Sequence, residues 1–291
     1  MIDLASLSKQ AVLAAKEAGK LISLSLNNEL DISQKETGST LASQVVTEVD
    51  CKSQNLILEI LRPSCDEFSI AVLAEEEEDN KSRFEHDYFW CIDPLDGTLP
   101  FIEGKPGYAV SIGLVSKCGK PQIGVVYDPF HQTLYEAARG QGVKINNEPW
   151  KIKSVENQLT FTYDRSFANH NDFHAIQDQL ETYAHSIGLK GLATIHYGGA
   201  VLNACYALEK SPGCHFKLPK AEDGGGSLWD YAATACLYEE SGAVVCDVFG
   251  NPLDLNRADS TFMNHRGALY ATDLELAQHI RKIISKINPK V

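Results

Sequence analysis

The sequence has 291 residues, 44% hydrophobic and 22% charged, the composition of a soluble globular chain able to bury a core of its own. Its formal net charge of −13 repels polyphosphate backbones and anionic lipid, which argues against nucleic-acid and membrane partners. No run approaches the roughly 18 apolar residues of a membrane span, and Met1-Ile2-Asp3 opens no secretory signal, so a cytoplasmic location is expected.

Leu4, Leu7, Ala11, Ala15, Ala18 and Ile22 fall at steps of three and four, which predicts a helix over residues 3–25. Residues 26–45 are polar, carry Gly38-Ser39-Thr40, and read as a loop. Thr47 reads as the N-cap of a second helix with Val49, Leu56, Ile57 and Ile60 facing inward and Pro63 after its end. A short apolar run, Phe68 to Ala74, stops at four glutamates. Tyr88-Phe89-Trp90-Cys91-Ile92 is apolar on both faces, a buried strand ending at Asp93. Three strands follow, at 108–115, 122–127 and 133–138, close enough for an antiparallel meander. Farther on, 159–163 is strand-like, 173–187 is a helix stopped by Gly188, 199–208 and 228–240 are helices, and 242–246 is a strand. The expected division is an α+β half over 1–150 and an α/β half over 151–291, packed as one unit without a linker. Eight scattered cysteines without a Cys-x-x-Cys pair read as buried free thiols.

The chemistry concentrates in Asp93-Pro94-Leu95-Asp96-Gly97-Thr98. Here a buried strand delivers two carboxylates three residues apart. Pro94 fixes φ and Gly97 permits a sharp turn, so Asp93, Asp96 and the Leu95 carbonyl can converge on one point. Hard cations take oxygen ligands of this kind, and paired buried carboxylates repel each other without one. Thr98 can cap a following helical turn whose N–H groups favour an anion. A ligand-free acidic turn is the competing reading of these residues alone.

The string resembles the signature of the inositol monophosphatase superfamily. Val46-Thr47-Glu48-Val49-Asp50, Leu73-Ala74-Glu75-Glu76 and Leu228-Trp229-Asp230 are similar to three further motifs of that family, in the same order. The likeness covers residues 3 to 272. It implies a layered αβαβα sandwich and a Mg²⁺-dependent, lithium-sensitive phosphomonoesterase of a small phosphorylated metabolite, using two or three ions. It also implies roles. Glu75, Asp93 and the Leu95 carbonyl would hold the first ion; Asp93, Asp96 and Asp230 the second; Asp50 a third, looser one. Gly97 and Thr98 amides would bind phosphate, and Glu75 with the Thr98 hydroxyl would polarise the attacking water. Gly199, Ala200 and either Glu222 or Asp223 would contact substrate. Alignment favours Glu75 over Glu76 as ligand. A homodimer fits the same reading.

Two departures stand out. Leu99-Pro100 replace a polar stretch near the phosphate, and residues 209–226 form a longer segment carrying Lys210, Lys217 and Lys220. That segment reads as a hinged specificity loop and raises an alternative, a 3'(2'),5'-bisphosphate nucleotidase. A catalytically silent metabolite-binding protein is the alternative of another class, marked by a lost metal carboxylate; none is lost here. His196, His215, Trp90 and Trp229 read as structural.

Overall fold

The computed structural model describes residues 2–25, 32–34, 45–154 and 156–287, with the backbone alone at 32–34 and 45–47. Helix α1 (Leu4–Ser25) buries Leu7, Ala11, Ala14, Ala15, Ala18 and Ile22, the stripe its spacing predicts. Strand β1 (Ile32–Gln34) falls within the stretch expected to be a loop and pairs antiparallel with β2 (Val45–Thr47), which starts at the last residue of that stretch. Gly38, Ser39 and Thr40 lie outside the described residues, as does the Thr47 side chain.

Helix α2 (Glu48–Phe68) starts directly after Thr47 but does not stop before Pro63, which lies inside it. Proline forfeits one helical N–H bond. Continuing past it buries Ser64, whose hydroxyl donates to the Leu61 carbonyl at 2.6 Å and accepts from Trp90 Nε1 at 3.2 Å.

Seven strands form the larger sheet in chain order: β3 (Ala71–Ala74), β4 (Tyr88–Asp96), β5 (Ala109–Ser116), β6 (Pro121–Asp128), β7 (Thr133–Ala138), β8 (Val143–Ile145) and β9 (Glu148–Trp150). β3 runs parallel to β4, and every other pair is antiparallel. A short helix, α3 (Thr98–Ile102), follows β4. The remaining elements are β10 (Leu159–Thr162), α4 (Phe173–Ser186), β11 (Leu192–Ile195), α5 (Ala200–Glu209), β12 (Gly213–Lys217), α6 (Leu228–Ser241), β13 (Val244–Cys246), β14 (Ala268–Ala271) and α7 (Leu274–Ile287). The second sheet has the order β11-β10-β12-β14-β13, with the first three strands parallel and β14 antiparallel to both neighbours.

Three apolar clusters fill the four interfaces between five layers. One lies between α1, α2 and the larger sheet, one surrounds α5 and α6 and touches both sheets, and one lies between the second sheet and α4 with α7. This is the αβαβα sandwich. Five cysteines (Cys91, Cys205, Cys214, Cys236, Cys246) are buried free thiols, Cys65 is half-buried, and Cys51 and Cys118 are exposed.

Segment 209–226 departs from the expected hinged loop. Gly213–Lys217 is the central strand β12, with Cys214, His215 and Phe216 buried. It is buried on both faces, His215 included, because a helix layer covers each side of that sheet.

Two glycines set the approach of α6 to the larger sheet. Gly113 and Gly124 face each other across β5 and β6. A Cβ at Gly124 would stand 2.1 Å from the Ala233 carbonyl oxygen, and one at Gly113 2.8 Å from Ala232 Cβ. The missing side chains let the helix settle onto the strands, which carries its first turn to the end of β4.

Candidate active site

The acidic site is assembled from three elements. Parallel pairing sets Ala74 beside Ile92, and the Glu75 N–H donates to the Ile92 carbonyl at 3.1 Å, so Glu75 emerges next to Asp93. At the end of β4, the Leu95 N–H donates to Asp93 Oδ1 at 3.0 Å, and the pairing with β5 shifts register between Asp93 and Asp96. α6 contributes Asp230. Ser227 caps that helix, and the Asp230 carboxylate takes the Ser227 N–H at 2.6 Å in a capping box. Ser111 Oγ donates to the Trp229 carbonyl at 3.2 Å and ties this turn to β5.

Among the described residues, Asp93, Asp96 and Asp230 have ligand oxygens that all lie within 4.8 Å of one another. Burial, then the charges of Glu75, Asp96 and Asp230, push the Asp93 carboxyl well above the usual range. Burial, then Asp230, raises Asp96 to about 7. Asp230 is raised by burial, opposed by the nearby Lys217 ammonium. Such a cluster is costly to ionise without a cation, and its all-oxygen donor set suits a hard dication. The residues present therefore fit Mg²⁺.

Gly97 makes the turn after Asp96, with φ 83°. A Cβ there would meet the Gly107 carbonyl oxygen at 2.5 Å. That same carbonyl accepts the Gly199 N–H at 2.7 Å, which locks the start of α5 to the turn. Ala200 and Val201 then donate their N–H groups to the two Asp96 oxygens at 3.2 and 2.9 Å. Asp96 thus serves as an anchor for α5 as well as a member of the acidic cluster. Thr98 Oγ1 stands 3.5 Å from the Leu95 carbonyl.

A cavity of about 710 Å³ opens over the cluster, and Glu75, Asp93, Asp96, Thr98 and Asp230 line it. Leu95, Gly97, Gly199 and Ala200 also line it. Asp50 is buried in the first turn of α2, outside the residues lining the cavity. Glu222 and Asp223 are exposed and also lie outside that lining, because β12 draws the preceding residues into the sheet and leaves 221–223 on a solvent-facing turn.

A model described as the inositol monophosphatase family matches residues 3–285. The chain belongs to the inositol monophosphatase family. It is 31% identical over 244 residues to the Nus factor SuhB of Escherichia coli, covering 82% of this chain and 84% of that one. It is 28% identical over 285 residues to inositol monophosphatase 1 of Mus musculus, covering 95% and 93%. Among solved structures it is similar to an inositol monophosphatase from Anabaena (Nostoc) sp. PCC 7120, with a TM-score of 0.68 and 25% identity over 98% of this chain and 97% of that one.

Around this inositol monophosphatase frame, the outer cavity holds residues that carry no motif. β10 and β12 run parallel, and side chains just beyond or at their C-terminal ends, Asp164 and Lys217, reach the cavity wall. Lys217 Nζ pairs with Asp164 at 2.9 Å. Burial works against the Lys217 ammonium, but Asp164, Tyr231 and Asp230 more than offset it and hold it charged. Arg165 forms a two-pronged pair with Glu103 at 2.8 and 3.0 Å. A polar residue directly after an apolar strand was the one available signal for Asp164. Lys220 and Leu99-Pro100 also line the cavity, whereas Lys210 approaches Glu156 at 3.9 Å. His215 is structural: its Nδ1 contacts the Thr162 carbonyl at 3.0 Å, and burial lowers it to about 4. His196 stacks on Tyr163, and Trp90 is buried.

Proposed function

We propose that this chain is a Mg²⁺-dependent phosphomonoesterase that hydrolyses a small phosphorylated metabolite, most like an inositol monophosphate. The Asp93–Asp96–Asp230 cluster at the floor of the cavity, with Asp93 and Asp96 buried and Asp230 half-buried, carries the reading. A net charge of −13 would otherwise repel a phosphate ester, and a cation on these acids reverses the local sign.

Glu75, Asp93 and the Leu95 carbonyl form one candidate ligand set, and Asp93, Asp96 and Asp230 a second, with Asp50 serving a looser third ion. Bound Mg²⁺ offsets the charge that develops on phosphorus-bound oxygens and lowers the pKa of water. The chain's own residues do the rest. Glu75, with the Thr98 hydroxyl, orients the attacking water and accepts its proton. Gly97 and Thr98 amides hold the phosphate oxygens. Gly199 and Ala200 keep Asp96 fixed and wall the cavity. Glu222 and Asp223 remain candidates for substrate contact only through movement of their turn. Within this proposal, residues 1–150 supply most of the ligands and residues 151–291 supply Asp230 and the outer wall. A cytoplasmic location, lithium sensitivity and a homodimer belong to the same proposal. Some relatives are named as a Nus factor rather than an enzyme. The complete set of carboxylates supports the enzymatic reading for this chain over a silent binding protein.

One observation favours a second substrate. Lys217 and Lys220 line the outer cavity together with the apolar Leu99, Pro100, Phe167 and Leu218. Two ammonium groups beside apolar walls suit a bisphosphorylated ligand with a flat ring, such as adenosine 3',5'-bisphosphate. The test is kcat/KM for inositol 1-phosphate and for that bisphosphate, in wild type and Lys220→Ala. A selective loss of about 1.5–3 kcal/mol on the bisphosphate, the range for hydrogen bonds to charged groups, supports the second reading. Equal small losses support the inositol monophosphate.

A further inference from the structure

Residues 256–265 lie between β13 and β14, outside every helix and strand named above, yet they join the two loops that deliver Glu75 and Asp230. At one end stands Arg83, fully buried. Its Nε donates to Asp79 Oδ2 at 3.0 Å, its Nη1 to Asn256 Oδ1 at 2.5 Å and its Nη2 to the Arg257 carbonyl at 2.8 Å. Asp79 closes the acidic run that starts at Glu75. At the other end, the loop holds the entry to α6. Lys220 N–H donates to the Asn264 carbonyl, Met263 N–H to the Gly226 carbonyl and Leu228 N–H to the Thr261 carbonyl, each at 2.9 Å. Asn264 Nδ2 adds a bond to the Glu222 carbonyl at 2.9 Å. Between the two ends, Arg257 Nη1 donates to the Phe262 carbonyl at 2.7 Å and to Asn264 Oδ1 at 3.1 Å, so the guanidinium holds the loop closed.

A buried arginine is a poor device for stability alone, since apolar residues of similar volume commonly serve as well. Its planar fork does what they do not: it fixes three partners in direction as well as distance. Here the three partners sit on the loop after Glu75 and on the strap that holds the turn before Asp230.

We propose that Arg83 and Arg257, joined through residues 256–265, are positioning residues that fix the Glu75 turn and the Asp230 helix entry relative to each other and thereby set the divalent-cation affinity of the acidic cluster. The inference rests on the reading of those acids as metal ligands.

The test uses the full chain with four substitutions. Asn256→Ala, Arg257→Ala and Arg257→Lys perturb the strap. Arg139→Ala is the control, since it removes a cross-element pair to Glu239 of 2.8 Å, away from the cavity. Mg²⁺ affinity is read by titration calorimetry, and folding by melting in chelator. The expected result is that Asn256→Ala and Arg257→Ala stay folded but bind Mg²⁺ about tenfold more weakly, the scale on which outer-shell changes act. Arg257→Lys follows the alanine variant, because an ammonium lacks the fork. Arg139→Ala binds within twofold of wild type. Affinity unchanged in the strap variants, or weakened equally in the control, overturns the inference. So does loss of folding in all three strap variants, which would make the strap a requirement of the fold. Wild-type protein that takes up no Mg²⁺ overturns the metal reading beneath it, whereas wild-type binding with unchanged variants removes this inference alone.

Discussion

Asp96→Asn separates the electrostatic account of the site from a purely structural one. Asp96 is 8% exposed and its carboxyl is raised from 3.8 to about 7, chiefly by burial and then by Asp230. That gap of about three pH units, at about 1.36 kcal/mol each, makes the ionised form roughly 4 kcal/mol harder to reach in the folded chain. The folded value lies above the unfolded one. Stability from this group is therefore fully present below pH 3.8 and lost as pH rises through about 7. Asparagine escapes that loss. It keeps one acceptor for the Ala200 and Val201 amides but sets an NH₂ against the other, a mismatch costing about 1–3 kcal/mol. The net expectation at pH 8 without metal is a variant about 1–3 kcal/mol more stable than wild type. That corresponds to roughly 2–6 °C in Tm for a chain of this size. At pH 5 the wild-type carboxyl is already protonated, and the gain vanishes or turns into a small loss. Melting curves in chelator at both pH values measure this. Excess Mg²⁺ should raise the wild-type Tm at pH 8 and raise the variant's by less, since Asp96 belongs to only one of the two ligand sets. A variant destabilised equally at pH 5 and pH 8 would show that the Asp96 charge carries no penalty in the folded chain.

Other predictions follow from the same geometry. Asp93→Asn should fold yet lose more than about 10²-fold in kcat, since several kcal/mol of charge stabilisation depend on it; a variant retaining a tenth of the wild-type rate would remove Asp93 from the centre of the site. Gly199→Ala has an ordinary φ of −64°, but its Cβ would stand 2.3 Å from Asp96 Oδ2 and displace that carboxylate. Its kcat/KM should fall by about 10²-fold with only a small change in Tm, which paired kinetics and melting would check. Because Asp93, Asp96 and Asp230 are all raised, Mg²⁺ must displace protons below about pH 7, so the Mg²⁺-induced rise in Tm should be larger at pH 8 than at pH 6.

Parts of this site were legible in the sequence because their cause is local. Asp93 to Thr98 states its own geometry: an apolar strand, a proline, a glycine and two carboxylates within six residues. Asp230 was legible through its cap, Ser227 three residues earlier. The stripe Leu276, Ala277, Ile280, Ile283 and Ile284 in α7 was equally plain at helical spacing, although no helix was expected there. Strand β12 was not legible. Its burial depends on β10 and β14, more than fifty residues away on each side, and its lysine, histidine and glycine argue against a core strand. The α2 boundary was misplaced because Pro63 ordinarily ends a helix, and here burial of Ser64 outweighs the lost hydrogen bond. Asp164 with Lys217 and Arg83 with Asn256 are tertiary pairs, the latter 173 residues apart, and no periodicity marks them. Glu222 and Asp223 fell to the opposite error: a sequence position near the site that the turn geometry directs outward.

A cation held by Asp93, Asp96 and Asp230 would make this chain a metal-dependent phosphatase. Phosphate release from inositol 1-phosphate and adenosine 3',5'-bisphosphate, by wild type and Asp93→Asn, with Mg²⁺ and with excess chelator, tests it most directly. A metal-dependent phosphatase would turn over at least one of the two as wild type in Mg²⁺, show no turnover in chelator, and fall by more than about 10²-fold in the variant. Phosphate release that persists in chelator, or in Asp93→Asn at a tenth or more of the wild-type rate, would contradict that assignment.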